Sequence, residues 1–162
     1  MIGLSRAHLM ELTIKPTLTG LGLWTAHAGQ IVLRTAVAES NLKWLKQVPA
    51  GPGRGLWQIE PFTARDVLGR YLRRRDDLSK RVRATVYPLL PEPAIVNLSN
   101  DALGFALANN LALGAAICRL IYLWVPSPIP ATLEGQAVYY VKYFNKGGKA
   151  TPAKFIAAWN NC

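Results

Sequence analysis

The sequence predicts an all-α fold, and three observations lead to this prediction. Apolar residues recur at three- and four-residue spacings along much of the chain, as on the buried face of a helix. Residues that favour helix caps precede several of these segments, and Gly or Pro separates them. The chain has essentially no alternating strand pattern. We therefore expect about six to eight helices, with room for a small β-hairpin around Trp57–Ile59.

The first two helices are predicted from their caps and breaks. Ser5 is expected to cap a short helix over Ser5–Ile14. Pro16 is expected to end it, because proline lacks the backbone donor that a helix interior needs. Thr25 is expected to cap a second helix over Thr25–Ser40, whose apolar residues indicate a largely buried position.

Five further helices follow from the same signals. In chain order they are a helix capped by Thr63 over Ala64–Arg73, a helix around Lys80–Arg83 that ends near Tyr87, a core helix over Asp101–Val125 capped by Ser99 or Asn100, a helix over Leu133–Asn145, and a last helix from Thr151-Pro152 through Trp159. Pro88, Pro91 and Pro93 are expected to form a rigid connection. Asn109-Asn110 is interpreted as a pair of helix-surface amides, with a helix break or a cleft contact as the alternative.

Length and composition indicate one globular domain over residues 1–162, long enough to bury a hydrophobic core. Nineteen Lys and Arg against nine Asp and Glu give a formal net charge of +10. This charge indicates an anionic partner, namely a cell-wall polymer, a membrane surface or nucleic acid. The run Arg73-Arg74-Arg75 is interpreted as a solvated charged face, because no aromatic residues interleave with it to stack on bases. Nothing in the sequence requires more than a monomer.

The sequence predicts no metal site, cofactor or membrane span. Cys118 and Cys162 are expected to be free thiols, because two cysteines without a local pattern do not form a disulfide framework. His8 and His27 lack the further ligands that zinc requires. The apolar run Leu111–Val125 is shorter than the about 20 residues that a bilayer requires. The first residues lack the apolar run of a signal peptide, so we expect synthesis in the cytoplasm.

The stretch Ala38–Pro61 carries the candidate chemistry. It places Glu39 and Glu60 on either side of a turn that is too rich in Gly and Pro to be helical. Trp57 and Gln58, close to Glu60, suit a sugar, because an aromatic face can cover a ring while amide and carboxylate groups bind hydroxyls.

Glu39 is the strongest candidate for a catalytic residue. It is expected in the last turn of a mostly apolar helix, where the negative end of the helix dipole and apolar neighbours disfavour its charged form. This position predicts a raised pKa, which a general acid that works near neutral pH needs. Apart from Glu39 and Glu60, the acidic residues have simple explanations, such as surface ion pairs or the first turns of helices.

Motifs in this stretch resemble those of enzymes that cleave peptidoglycan. Glu39-Ser40 followed by Gly55–Ile59 resembles the Glu-Ser and Gly-Leu-Met-Gln-Ile motifs of lytic transglycosylases and goose-type lysozymes. The string Gly51–Pro61 is similar to the Gly-Pro-x-x-Gly-x-Trp-Gln-x-Glu-Pro string of bacteriophage and prophage muramidase-like proteins. The later segments Tyr140–Asn145 and Gly147–Thr151 also resemble this group, so the likeness extends over most of the chain.

The resemblance implies a single lysozyme-like (muramidase) catalytic domain and a reaction. The reaction would cleave the β-1,4 bond between N-acetylmuramic acid and N-acetylglucosamine, with Glu39 as general acid. Glu60 would be the second catalytic carboxylate if it reaches the cleft, and the products would then have reducing ends. If Glu60 points away, Glu39 alone would act as acid and base and give 1,6-anhydro ends, as in lytic transglycosylases. We prefer hydrolysis.

The substrate-binding candidates are Ser40, Trp57, Gln58, Tyr143 and Asn145. Trp57 and Gln58 would position sugar, Ser40 would orient Glu39 or cap the end of its helix, and Tyr143 would contact the glycan. Members of the family usually carry Tyr-Asn where this chain has Phe144-Asn145. Tyr140 and Phe144, four residues apart, are expected to pack in the core.

The expected partners are peptidoglycan strands and an anionic cell-wall or outer-membrane surface, with no specific nucleic acid. A phage protein of this kind would reach the periplasmic wall through a holin lesion or on the virion. Two non-enzymatic alternatives remain open: a basic helical nucleic-acid-binding module and a virion structural protein with the muramidase fold but no activity.

Overall fold

The computed structural model describes residues 3–86 and 97–162. Short helices fill most of both ranges. The α-helices are α1 (Arg6–Leu9), α2 (Lys15–Gly20), α3 (Ala26–Ser40), α4 (Pro61–Asp66), α5 (Asp76–Val86), α6 (Asn100–Asn109), α7 (Leu111–Leu123), α8 (Leu133–Tyr143) and α9 (Pro152–Asn161). The all-α prediction is confirmed for this part of the chain. The connection expected at Pro88, Pro91 and Pro93, like the helix end near Tyr87, lies outside the described residues.

The first helix does not end at Pro16, so that prediction was wrong. Ser5 caps α1 as expected, and its side chain accepts a hydrogen bond from the backbone of His8. A π-helical segment, Met10–Ile14, then joins α1 to α2 without a break, and Pro16 lies in the first turn of α2. The π-helical turn just before Pro16 replaces the regular i→i−4 bonding of an α-helix, so the chain accommodates a residue without an N–H group and stays helical.

Helix α3 begins at its expected cap, because the Thr25 side chain accepts a hydrogen bond from the backbone of Ala28 at 3.0 Å. It is buried along most of its length. At its end, Asn41 and Leu42 both have positive φ angles, of 50° and 55°, and turn the chain away from the helix axis. Glu39 therefore lies where a buried helix meets a loop.

The loop between α3 and α4 contains no strand, so the small β-hairpin for which the sequence left room around Trp57–Ile59 does not form. Arg54 instead forms two isolated antiparallel bridges, one to Lys46 and one to Ile59. Gly55 lies within this loop with φ = 70°, and a Cβ atom there would collide with the carbonyl oxygen of Leu107 in α6. Glycine at position 55 therefore permits both the turn and the close approach of the loop to α6.

Helix α4 begins at Pro61 rather than after Thr63, which corrects the predicted cap. Glu60 occupies the capping position, but its side chain makes no capping hydrogen bond. Proline at the first helical position has a preset φ angle, which favours an earlier start than the sequence signal at Thr63 indicated. Asp66 consequently lies at the end of α4. A π-helical segment, Val67–Tyr71, continues the chain.

The long core helix predicted over Asp101–Val125 is two helices. Ser99 caps α6, and the chain bends by 104° before α7. Asn110 makes this break, because its side chain accepts a hydrogen bond from Leu113 N at 2.9 Å and donates one to Val86 O at 3.2 Å. The interpretation of Asn109-Asn110 as surface amides was wrong at Asn110. Side-chain capping of the next helix competes with continuation of the first.

Helix α7 lies in the hydrophobic core, where α2, α3, α5 and α6 pack against it. Its residues from Leu113 to Leu120 are all buried. Within the two described ranges, no single helix is long and apolar enough to cross a membrane, and only the sharply bent α6–α7 pair passes that test by length and composition.

Helices α8 and α9 pack against each other and against α3. Thr151 caps α9 as predicted, and its hydroxyl accepts a hydrogen bond from the backbone of Lys154. Tyr140 and Phe155 pack against each other at this contact, with ring centroids 4.7 Å apart and ring planes tilted by 33°. The packing brings one side of α8 close to the last turn of α3, which carries Glu39.

Substitution of Gly55 by alanine should destabilise the protein more than the same change at Gly147. Both residues have positive φ angles, of 70° and 72°, but nothing lies within 4 Å of a Cβ atom at Gly147. Gly147→Ala should therefore cost about 1–2 kcal/mol for the left-handed backbone alone. Gly55→Ala adds the collision with Leu107 and should cost about 3 kcal/mol or more. Urea unfolding measures both values, and equal losses would contradict the close approach.

Candidate functional site

A cleft of about 1070 Å³ lies beside the end of α3. Four segments line it together with Glu39: the loop before α4, α4 itself, the end of α7, and the loop after α8. Five residues predicted as site residues contribute to its wall, namely Glu39, Gln58, Glu60, Tyr143 and Asn145. The fold thus brings together residues that are separated by more than 100 positions in the chain.

Glu39 is half-buried at the wall of this cleft, and one of its carboxylate oxygens is held by two side chains. The Tyr140 hydroxyl donates a hydrogen bond to Oε1 at 2.6 Å. The Asn145 amide donates a longer one to the same oxygen at 3.4 Å. No residue of the described ranges is hydrogen-bonded to Oε2. The carboxyl group is therefore fixed at one oxygen and leaves the other for a ligand in the cleft.

Burial raises the pKa of Glu39 above the ordinary glutamate value, and the hydrogen bonds from Tyr140 and Asn145 partly oppose the rise. A low-dielectric environment penalises the carboxylate, whereas donors directed at it stabilise that form. The raised pKa was predicted from the apolar helix that carries Glu39, and the structure confirms its direction. A carboxyl group in this position retains its proton at a higher pH than an exposed glutamate does.

Tyr140 has two roles, of which only one was predicted. Its ring is buried, as expected, and packs against the Phe155 ring in a tilted arrangement. Its hydroxyl, which was not assigned a site role, is the closest hydrogen-bond partner of Glu39. Burial, followed by the nearby Glu39 carboxylate, raises the pKa of Tyr140 far above the ordinary tyrosine value, so this hydroxyl acts as a donor. A buried tyrosine needs a partner for its hydroxyl, and this requirement is the signal that could have identified it.

Gln58 lies in the cleft wall in a strained conformation. Its φ angle is 46°, which non-glycine residues seldom adopt. Its amide nitrogen donates to the carbonyl oxygens of Trp44 at 3.1 Å and Gly55 at 2.8 Å. Its buried Oε1 atom, like Oδ1 of Asn145, has no hydrogen-bond partner among residues 3–86 and 97–162. Strained residues and unpaired buried acceptors are concentrated at functional sites.

The structure corrects two predicted substrate-binding residues. Trp57 is 1% exposed and does not line the cleft. Its indole nitrogen donates to Val32 O in α3 at 2.8 Å, and its ring packs where Gly114 leaves room in α7. Ser40 is also buried, and its hydroxyl donates to Ala36 O at 3.0 Å, one turn back along α3. Neither residue lines the cleft, because each side chain is buried and hydrogen-bonded to the backbone of α3.

Three exposed aromatic residues in the cleft wall were not predicted. Trp44, Phe62 and Trp124 are 54%, 67% and 42% exposed, although side chains of this size are usually buried in a folded protein. Lys146 and Asp66 also line the cleft, and Asp66 is paired with Arg70 at 3.3 Å. Trp44 lies in the polar loop after Glu39, and its exposure depends on how that loop folds.

The remaining reactive residues do not form a second site. Cys118 is buried and Cys162 is partly buried, and both are free, as predicted. Burial raises the pKa of the Cys118 thiol well above its ordinary value, which makes it unreactive. His8 and His27 are exposed on separate helices. Over residues 3–86 and 97–162, no group of three or more His, Cys, Asp or Glu residues could hold a metal ion.

Removal of the Tyr140 hydroxyl should raise the pKa of Glu39 further, because the lost hydrogen bond favours the carboxylate. The pKa of Glu39 is higher in the native state than in the unfolded state. The free energy of unfolding therefore falls as the pH rises from the unfolded-state pKa to the native-state pKa. In Tyr140→Phe this fall in stability should extend to a higher pH, because the native-state pKa of Glu39 is higher. Carbon-detected NMR titration of the glutamate carboxyl groups measures the shift.

Tyr139→Phe is the matched control for this titration. Tyr139 lies next to Tyr140 on α8, but its hydroxyl donates to Ser127 O at 2.8 Å and does not contact Glu39. Its removal should leave the titration of Glu39 unchanged. An unchanged or lowered Glu39 pKa in Tyr140→Phe would contradict the assigned hydrogen bond.

Comparisons with protein-family models, curated proteins and solved structures find no match to this chain. The arrangement of residues around Glu39 is therefore the basis for assigning a function.

Proposed function

We propose that this protein is a peptidoglycan-degrading glycosidase of the phage lysin type with a lysozyme-like fold. It would cleave the β-1,4 bond between N-acetylmuramic acid and N-acetylglucosamine. One observation carries the proposal: Glu39, a half-buried carboxyl group with a raised pKa, is fixed at one oxygen and lines a large open cleft. General acids of glycosidases have this combination of a raised pKa and a fixed orientation.

Glu39 would act as the general acid. The Tyr140 hydroxyl and the Asn145 amide hold Oε1, so Oε2 would carry the proton and deliver it to the glycosidic oxygen. The bond from that oxygen to the anomeric carbon would break as an oxocarbenium-like transition state develops. Once Glu39 is ionised, the two donors would stabilise its carboxylate, which favours release of the proton at the required moment.

The cleft wall supports a polysaccharide as the substrate. Trp44, Phe62 and Trp124 offer exposed aromatic faces against which apolar sugar faces can pack. Gln58 and Asn145 also line the cleft, and amide side chains can hydrogen-bond to hydroxyl and acetamido groups. The volume of about 1070 Å³ exceeds that of typical small-molecule pockets. The formal charge of +10 would favour attachment to an anionic wall polymer or outer-membrane surface.

Glu60 supports hydrolysis over anhydro-sugar formation. It is exposed and lines the same cleft as Glu39, at the N-terminus of α4, where a negative charge is stabilised. An ionised carboxylate there could activate a water molecule for attack on the anomeric carbon. The products would then be fragments with reducing N-acetylmuramic acid ends.

Digestion of purified peptidoglycan, with mass spectrometry of the soluble products, tests this function. The wild-type protein should release fragments, and Glu39→Gln should lower the rate by about 10²–10⁴-fold, the usual contribution of general acid–base catalysis. Glu11→Gln is the matched control. Glu11 lies on the π-helical segment before α2, is exposed, forms an ion pair with Lys15 and does not line the cleft. Full activity of Glu39→Gln would exclude the assigned acid. Wall binding without soluble fragments would favour a structural virion protein.

The same digestion tests the role of Glu60. Reducing ends in the wild-type products, and a loss of rate in Glu60→Gln, are expected for a base that activates water. Products with 1,6-anhydro ends, made equally well by Glu60→Gln, would identify a lytic transglycosylase in which Glu39 acts alone. Salt-sensitive DNA binding that survives Glu39→Gln, without wall lysis, would instead favour a nucleic-acid-binding module.

A further inference from the structure

The charges in the cleft wall are unevenly distributed. Helix α4 and the residue before it contribute two carboxylates, Asp66 and Glu60. The loop after α8 contributes Lys146, which is the only basic residue among the described residues of the cleft wall. A ligand with a single negative charge would therefore be repelled near α4 and attracted to the loop after α8.

Lys146 is close to the proposed reaction centre. It directly follows Asn145, whose amide contacts Glu39 Oε1 at 3.4 Å. Consecutive Cα atoms are only about 3.8 Å apart, so the Lys146 side chain starts beside a residue that touches the acid. A sugar chain that fills this cleft with a glycosidic oxygen at Glu39 would also adjoin Lys146, because both residues line the cleft.

The positive charge of Lys146 is available to a ligand. In the described part of the chain, Lys146 is exposed and takes part in no ion pair, whereas Asp66 is paired with Arg70. The neighbouring Tyr143 is affected by this charge. A hydrogen bond with Ser127 lowers the pKa of Tyr143 below the ordinary tyrosine value, and Lys142 and Lys146 act in the same direction. Tyr143, which also lines the cleft, is therefore within electrostatic range of Lys146.

We propose that Lys146 binds the carboxylate of the lactyl group that distinguishes N-acetylmuramic acid from N-acetylglucosamine. The cleft would thereby select anionic amino-sugar polymers over neutral ones such as chitin oligosaccharides. This inference rests on the proposed function, because it assigns the substrate class of the same cleft. The ammonium group of lysine and a carboxylate form a charge-assisted hydrogen bond, which is stronger than a bond between neutral groups.

Binding measurements in the Glu39→Gln background test the selectivity without cleavage of the ligand. The two probes are a peptide-free oligosaccharide of alternating N-acetylglucosamine and N-acetylmuramic acid, and a chitin oligosaccharide of the same length. Lys146→Met should weaken binding of the anionic probe about tenfold, the usual effect of losing one charged hydrogen bond. Binding of the neutral probe should change by less than about twofold. Isothermal titration calorimetry measures both dissociation constants.

Lys149→Met is the matched control. It removes the same charge from the same loop, but Lys149 is exposed and is not part of the cleft wall. It should leave the selectivity between the two probes unchanged, and Lys146→Arg should retain most of it. Equal weakening of both probes by Lys146→Met, no weakening of either, or the same loss of selectivity in Lys149→Met would overturn the assignment. Failure of both probes to bind the Glu39→Gln protein would overturn it as well.

The digestion and the binding measurements distinguish failure of the proposed function from failure of the Lys146 assignment. If the wild-type protein releases no fragments from peptidoglycan, the protein is not a glycosidase of this class. A selective loss of anionic-probe binding in Lys146→Met would then still identify the cleft as a site for anionic amino sugars.

Discussion

The hydrogen bond between the Tyr140 hydroxyl and Glu39 Oε1, at 2.6 Å, connects the two parts of the fold that make the cleft. It joins the last turn of α3 to the inner face of α8 and lies at the edge of the core around Phe155. Burial at this contact raises the pKa of the carboxyl group, while the bond itself limits the rise. Both effects depend on the packing of α8 and α9 on α3, because each needs the tyrosine ring to be buried and its hydroxyl to be directed at Glu39.

Trp57 also stabilises the cleft, although it is buried in the core and does not line the cleft itself. The indole bond to Val32 O and the packing on Gly114 attach the loop before α4 to both α3 and α7. Gln58 directly follows this anchor with φ = 46°, and Glu60, two residues later, immediately precedes α4. A buried anchor can maintain a strained neighbour, because the free energy of burying a large aromatic side chain exceeds the cost of about 1–3 kcal/mol for one unusual backbone conformation. The residue that most resembled a sugar platform in the sequence thus positions the polar residues that line the cleft.

Local sequence signals identified most helix starts, because capping depends on side chains within three residues of the helix. Ser5, Thr25, Ser99 and Thr151 all cap as expected. The errors at Pro16, Thr63 and Asn110 occurred where two local signals compete, and at Asn110 a long-range contact selects between them. Asn110 illustrates this choice, because its bond to Val86 O connects it to a residue 24 positions away. The all-α class was predictable because hydrophobic spacing is a property of each segment, whereas the 104° bend between α6 and α7 was not.

The sequence by itself determined the helical class, the basic charge and the identity of Glu39 as an acid in an apolar setting, because composition, spacing and helix position are local properties. Only the tertiary structure decided which side chains surround that acid. It placed the Tyr140 hydroxyl on Glu39, withdrew Trp57 and Ser40 into the interior, and exposed Trp44, Phe62 and Trp124 along the cleft. The physical reason is that the burial of a side chain depends on residues that are distant in the chain. Aromatic residues of the core and of a cleft wall can have the same spacing in the sequence, and only the elements packed around each ring determine where it lies.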